Sequence, residues 1–318
     1  MNRAMLAIGI LLLSSAFVTA ADDLPTPEQL KQLETDKNWV ELLKGTTKAL
    51  ALKGPAAEKF NRAELWIQKA EAQLQQKQFI PASESFKNAA EEKTVTPEIA
   101  DTCTAMSALV RKSDARGYRV PQTKDNPSPP AFDIFDPATR TDAMKALFDS
   151  EYTDLKKDLD KAKTKPALPE LIKIAKQAKP LPTLERAATK TDEQSKQLVA
   201  DVGTEASETI GKWVESSRTQ IDKIRESANR MIRVKAREIP GQTVSGHTLQ
   251  KAGLSGQDRS DLQGIMKECE KIAGLYKQYI DAVGEARDAM VDVPKRVENV
   301  FEEAKNVLNA NYTGIYKK

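Results

Sequence analysis

Two columns of apolar residues, each with a seven-residue period, run without interruption between Leu262 and Val307. One column is Leu262, Cys269, Tyr276, Val283, Met290, Val297 and Ala304, and the other is Ile265, Ile272, Tyr279, Ala286, Val293, Val300 and Val307. Paired heptad columns are typical of a coiled-coil seam, because they keep one stripe of a helix facing a partner helix. The pattern predicts a long helix from about 258 to 309, kinked at Pro294. The partner helix can belong to the same chain or to a second copy, which would form a homo-oligomer.

A second long helix is predicted from about 183 to 238. Its mostly apolar column has nine intervals of three or four residues, which together cover 33 residues. The column is Leu198, Val202, Ala206, Ile210, Trp213, Ser217, Ile221, Ile224, Ala228 and Met231. The loop 239–256 then favours an antiparallel hairpin, which helices near 138–163 and 168–179 complete as a bundle. Strand signals are confined to 118–120 and 243–244, both too short to build a sheet unaided.

Five shorter helices are predicted in the first third of the chain, near 27–34, 37–52, 57–77, 79–93 and 97–114. Within them, six residues have a recurring helical-hairpin spacing: Trp66, Ala70, Phe79, Ala82, Phe86 and Ala89. The stretch 63–96 therefore resembles a single tetratricopeptide repeat, and no second copy is found at a shift of 34 residues. The resemblance implies a concave surface that holds a peptide or a partner helix. An ordinary helical bundle with the same spacing is the alternative.

Prolines mark the division of the chain, since five of the 16 lie between Pro121 and Pro137. The stretch 117–137 is predicted to be a Pro-rich linker between a tetratricopeptide-like module at 21–116 and a long helical bundle at 138–318. The fold class expected is therefore all-α: a short repeat-like module followed by an elongated antiparallel hairpin or a three- to four-helix bundle.

Residues 1–20 have the pattern of a cleaved signal peptide: Arg3, an apolar run from Ala4 to Val18, and small residues up to Ala20. No cysteine lies near residue 21, so a lipid anchor is not expected there. The pattern predicts an exported protein, periplasmic or extracellular.

Chemistry-bearing residues are few, with one histidine and two cysteines, Cys103 and Cys269, which lie 166 positions apart. This excludes His/Cys metal clusters and most nucleophile–base pairs, so no catalytic, cofactor-binding or metal-binding residue is predicted. His247 has no carboxylate nearer in sequence than Glu238 and Asp258. The cysteines are expected to be buried thiols, with a disulfide between them as the alternative. The near balance of 49 basic and 46 acidic residues gives no electrostatic case for nucleic acid.

One basic stripe, formed by Lys223, Arg230, Arg233 and Arg237, is predicted on a single side of the second long helix. It suits an acidic protein partner or an anionic envelope component, and a solvated helix face is the alternative. The function favoured is an exported, non-catalytic scaffold or adaptor that binds protein partners in the bacterial envelope. Two alternatives stay open: a membrane-active or lipid- or glycan-binding bundle, and an enzyme or small-molecule binder without a recognisable motif.

Overall fold

The computed structural model describes residues 24–122, 127–238, 254–283 and 290–310, without the side chains of 230–238. The fold is all-α, as the sequence predicts, with eleven α-helices in this part of the chain. They are α1 (Pro27–Thr35), α2 (Trp39–Ala51), α3 (Arg62–Gln75), α4 (Phe79–Glu91), α5 (Pro97–Arg111), α6 (Arg140–Thr164), α7 (Leu168–Ala178), α8 (Leu181–Thr189), α9 (Glu193–Glu238), α10 (Gly256–Val283) and α11 (Val293–Asn309). Two short 3₁₀ helices occupy Gly54–Lys59 and Pro137–Thr139.

Proline and a side-chain cap fix the starts of α1 and α5. The Thr26 hydroxyl accepts the backbone N–H of Gln29 at 3.3 Å, and the Thr96 hydroxyl accepts that of Ile99 at 3.4 Å. Each threonine is followed by a proline, which loses no hydrogen bond at the first helical position. These local signals are the reason that α1 and α5 begin at their predicted positions.

The turns that join α1 to α2 and α3 to α4 have the same geometry. Lys37 and Lys77, 40 positions apart, both adopt left-handed backbone angles, with φ of 55° and 60°. The Asn38 N–H donates to the Leu33 carbonyl at 2.9 Å, and 40 positions later the Gln78 N–H donates to the Gln73 carbonyl at 2.8 Å. A second helical hairpin therefore precedes the repeat-like unit. The shift of 34 residues misses it, because the 3₁₀ helix Gly54–Lys59 lengthens the connection between the hairpins.

The predicted linker at 117–137 differs from the structure, since it contains two strands of a small antiparallel sheet. The strands are β1 (Ser113–Asp114), β2 (Gly117–Arg119) and β3 (Ala131–Phe132), in the order β1-β2-β3. Gly117 has φ of 95°, and a Cβ there would overlap the Phe132 carbonyl oxygen, so this position requires glycine. Tyr118 and Ile134 are fully buried. These two side chains are therefore part of the core.

Direct contacts join the regions on either side of this stretch. The Arg140 guanidinium binds the Glu71 carboxylate with two hydrogen bonds, of 2.9 and 2.7 Å. Arg186 on α8 binds Asp101 on α5 at 2.8 and 2.9 Å. One cluster of buried apolar residues extends from Ala70 to Val307, and a smaller one lies among α1, α2 and α3. The predicted domain boundary therefore does not coincide with a gap in the core.

The predicted helix 183–238 is interrupted, because α8 ends at Thr189 and α9 begins at Glu193. Lys190 between them is left-handed, with φ of 67°. The buried Glu185 carboxylate accepts the backbone N–H groups of Gln194 at 3.1 Å and Ser195 at 2.9 Å. A carboxylate at this position satisfies unpaired donors and the positive end of the helix dipole, so it favours a new helix start.

The predicted single helix 258–309 is two helices, α10 and α11, which pack side by side. Tyr276 and Phe301 line one groove, whereas on a continuous helix they would lie about 37 Å apart. Pro294 is in the first turn of α11, where proline is well tolerated, so it marks a helix start and not a kink. The heptad residues from Leu262 to Val307 that the structure describes are mostly buried within the chain.

The helices α7, α9, α10 and α11 form a bundle, whereas α6, which the sequence also predicts to belong to it, packs mainly against α8 and α7. Arg296 on α11 donates to the Ser207 hydroxyl at 2.8 Å, and Glu303 further along pairs with Arg218 at 3.2 Å. Because the residue numbers rise together along both helices, α9 and α11 run parallel. The 46 residues of α9 would extend about 69 Å, so α9 is the longest helix of the bundle.

Candidate partner-binding surfaces

The six residues of the repeat-like unit lie in or beside the core. Ala70, Ala82, Phe86 and Ala89 are buried, while Trp66 and Phe79 are partly buried against the same cluster. The Trp66 indole donates to the Glu92 carboxylate at 3.1 Å, and the Lys69 ammonium lies 5.0 Å from the ring centroid. Burial lowers the pKa of Lys69. These contacts fit a packing role for the six residues.

The chain itself covers one face of α3. The Gln75 amide donates to the backbone carbonyl of Phe135 at 2.8 Å, and Glu71 binds Arg140 from the same segment. The Phe79 and Phe135 rings meet edge to face at 6.2 Å. The chain itself therefore closes this part of α3 to a partner peptide.

The residues of the basic stripe are only partly described. Lys223 is exposed on α9, whereas the side chains of Arg230, Arg233 and Arg237 lie outside the described residues. The helix backbone continues through these positions to Glu238. The predicted signal peptide at 1–20 and His247 also lie outside the described part of the chain. The stripe therefore stays a prediction.

Both cysteines are free and buried, as expected for thiols in apolar helical columns. Burial is the main cause that raises the pKa of each thiol to about 11, and for Cys269 the neighbouring Glu268 and Glu270 contribute to the same rise. Among the described residues, no group of three or more His, Cys, Asp or Glu is arranged to hold a metal ion. Thiolate chemistry is disfavoured at neutral pH, because the thiolate is the reactive form.

We expect neither thiol to react appreciably with a disulfide reagent at pH 8 in the folded protein. A pKa raised from 9.0 to about 11 lowers the thiolate fraction at that pH about 100-fold, and burial slows access further. Two thiols should react after denaturation. Because each folded pKa is raised, the associated stability is complete below pH 9 and decreases as the pH rises toward 11. Fast native reaction of either thiol at pH 8 would contradict the described burial.

An apolar groove of about 390 Å³ lies between α10 and α11. Its apolar lining includes Ile272, Ala273, Tyr276, Pro294, Val297 and Phe301. Glu270 on α10 and Glu298 on α11 also line it, and both are exposed without an ion pair to any described residue. Sequence reasoning missed this groove, because it exists only when α11 folds back along α10.

A smaller apolar feature lies at the two equivalent hairpin turns. Val40 and Ile80 are 53% and 72% exposed at matching positions, each three residues after a left-handed lysine. The turns touch, because the Gln76 amide donates to the Trp39 carbonyl at 3.1 Å. Two isolated aliphatic side chains cover too little area to define a docking surface, so the groove is the stronger candidate.

No protein-family model, curated protein or solved structure matches this chain. None of the described helices combines the length and the apolar character that a membrane span requires. The groove and its charges are therefore the features from which a function can be inferred.

Proposed function

We propose that this protein is a non-catalytic adaptor that binds an amphipathic helix of a protein partner in the groove between α10 and α11. The supporting observation is the groove itself, which combines an apolar lining with a volume of about 390 Å³. In helix-in-groove recognition, apolar anchors three or four residues apart along one helix enter such a surface. Tyr276 and Phe301 supply aromatic side chains, which often dominate binding energy at interfaces.

The partner helix should carry basic residues beside its apolar face. Glu270 and Glu298 have no ion pair among the described residues, whereas nearby Lys305 is already paired with Glu302 at 2.9 Å. Because both carboxylates are exposed, they contribute orientation and association rate more than affinity. The apolar anchors would supply most of the affinity.

The predicted signal peptide at 1–20 supports an exported location for this adaptor. We propose that it acts in the bacterial envelope, in the periplasm or outside the cell. The tetratricopeptide-like module at 63–96 and the basic stripe would then offer additional contacts to the same or another partner.

Filling the groove should weaken binding of a basic amphipathic helix. The probe is a synthetic 18-residue Leu/Lys peptide with one apolar face, which would span about 27 Å as a helix. We expect the Ala273→Trp variant to bind it at least 10-fold more weakly than the original chain, because the indole occupies the volume that the anchors need. Titration calorimetry on the full chain measures the difference.

Gly264→Trp is the matched control. Gly264 lies on the same helix with open space around it. It is nine residues from Ala273, so it faces about 180° away around the helix. The affinity of the Gly264→Trp variant for the Leu/Lys peptide should be unchanged. A Leu/Glu peptide of the same pattern should associate more slowly and bind measurably more weakly, since Glu270 and Glu298 repel it. Equal binding of both peptides, or an unchanged affinity in Ala273→Trp, would contradict the proposed function.

A further inference from the structure

A second, polar pocket of about 360 Å³ lies between strand β2 and helix α6, remote in sequence from the groove. Six of its lining residues carry polar or charged groups that bear on ligand binding: Lys112, Tyr118, Arg119, Glu151, Asp154 and Asp158. The three carboxylates follow one another along α6. The volume is at the lower end of the range of about 300–1,000 Å³ for small-molecule sites. A ligand that fills this pocket must therefore be small.

Tyr118 is only 2% exposed, and it lines the pocket. Its ring stacks on Phe132 with centroids 6.4 Å apart, which leaves the hydroxyl as the polar group that Tyr118 contributes to the pocket. Burial raises the pKa of Tyr118 to about 12, so the hydroxyl keeps its proton at neutral pH and can donate it. A protonated hydroxyl that lines the pocket can donate to a ligand group that accepts a hydrogen bond.

The charges of the pocket are only partly neutralised within the protein. Lys112 pairs with Glu151, and Lys161 pairs with Asp158 at 3.0 Å. Arg119 and Asp154 have no ion pair to any residue that the structure describes. One cation and one anion of the pocket lining are therefore available to a ligand, together with the hydroxyl of Tyr118.

We propose that this pocket binds a small zwitterion of amino-acid or dipeptide size. Arg119 and the Tyr118 hydroxyl would bind its carboxylate, because both are donors and guanidinium suits a carboxylate well. Asp154 would bind its ammonium group, with Asp158 adding negative potential on the same helix. A simple anion or a simple cation would satisfy only half of this arrangement. The proposal does not depend on the adaptor function, because no groove residue takes part in it.

The experiment is an NMR titration of the full chain with L-alanyl-L-alanine. We expect saturable binding with a Kd in the range of about 0.1–10 mM, and at least 10-fold weaker binding of the N-acetylated and the C-amidated dipeptides. Asp154→Asn should raise the Kd at least 10-fold, and Tyr118→Phe about fivefold, since the latter removes one hydrogen bond and keeps the ring. Shift changes should be centred on residues 118, 119 and 154.

Matched controls separate a site from general surface effects. Asp160→Asn removes a carboxylate on the same helix as Asp154. Tyr152→Phe removes the hydroxyl of a tyrosine that packs on Phe148. Neither Asp160 nor Tyr152 lines the pocket. Both variants should keep the original Kd. Absence of saturation at about 50 mM dipeptide, equal binding of the blocked dipeptides, or an unchanged Kd in Asp154→Asn would overturn the proposal. Because the groove probes test different residues, failure here leaves the adaptor proposal to its own test.

Discussion

Replacing Phe86 by alanine is expected to lower the free energy of unfolding by about 3–5 kcal/mol. The ring is 3% exposed and belongs to the large core cluster, so its removal loses apolar burial and leaves a cavity. Urea denaturation measures the change. Phe301→Ala is the matched comparison, because that ring is only partly buried beside the groove. This variant should lower the free energy of unfolding clearly less than Phe86→Ala does.

The Phe86→Ala variant should also unfold in a single transition. The large core cluster is continuous from Ala70 to Val307, so damage at α4 is shared with the bundle. Trp66 on α3 is a fluorescence probe for the N-terminal helices, and Trp213 on α9 is a probe for the bundle. Variants that keep only one of these two tryptophans should give the same midpoint of urea denaturation. A native Trp213 signal after the N-terminal helices have unfolded would support two independent domains and contradict the shared core.

Glu71→Ala is expected to destabilise the protein by about 3–5 kcal/mol, because it leaves the Arg140 guanidinium unpaired in a largely buried position. The side chains of Arg140 and Glu71 are only 14% and 11% exposed. Their pair also fixes the segment 134–140 on α3, since Arg140 Nε donates to the Ile134 carbonyl at 2.8 Å. Thermal and urea unfolding measure the change.

A double-mutant cycle tests this assignment. The Glu71→Ala/Arg140→Ala variant should be less destabilised than the sum of the two single variants, because the second change removes the unpaired charge. Asp149→Ala breaks the exposed pair with Lys145 and should cost about 0.5 kcal/mol or less. Additive effects of Glu71→Ala and Arg140→Ala would show that the pair does not couple the two segments.

Local signals in the sequence predicted where several helices begin and which faces of the long helices are buried. Thr26 and Thr96, each followed by proline, start α1 and α5 where expected, and the apolar columns mark the buried faces of α9, α10 and α11. These features depend on neighbours in the chain, so they can be read without a structure. The all-α class follows from them.

Features that depend on distant contacts could not be predicted in the same way. The heptad columns are identical for one continuous helix and for two helices that fold back, and Pro294 is compatible with a kink or a start. The break at Lys190 needs the buried Glu185 carboxylate, which packs there only in the folded chain. The groove and the Tyr118 pocket each combine residues from separate elements, so no spacing indicates them.

Photocrosslinking from inside the groove tests the adaptor account most directly. Benzoylphenylalanine at position 273 should crosslink the Leu/Lys peptide, and mass spectrometry should place the second attachment point on the apolar face of the peptide. The same group at position 264, about 180° away around α10, should give little product. A loss of crosslinking after Glu270→Lys and Glu298→Lys would support recognition by charge as well as shape. Equal crosslinking from positions 264 and 273 would contradict the claim that the groove between α10 and α11 is the partner-binding site.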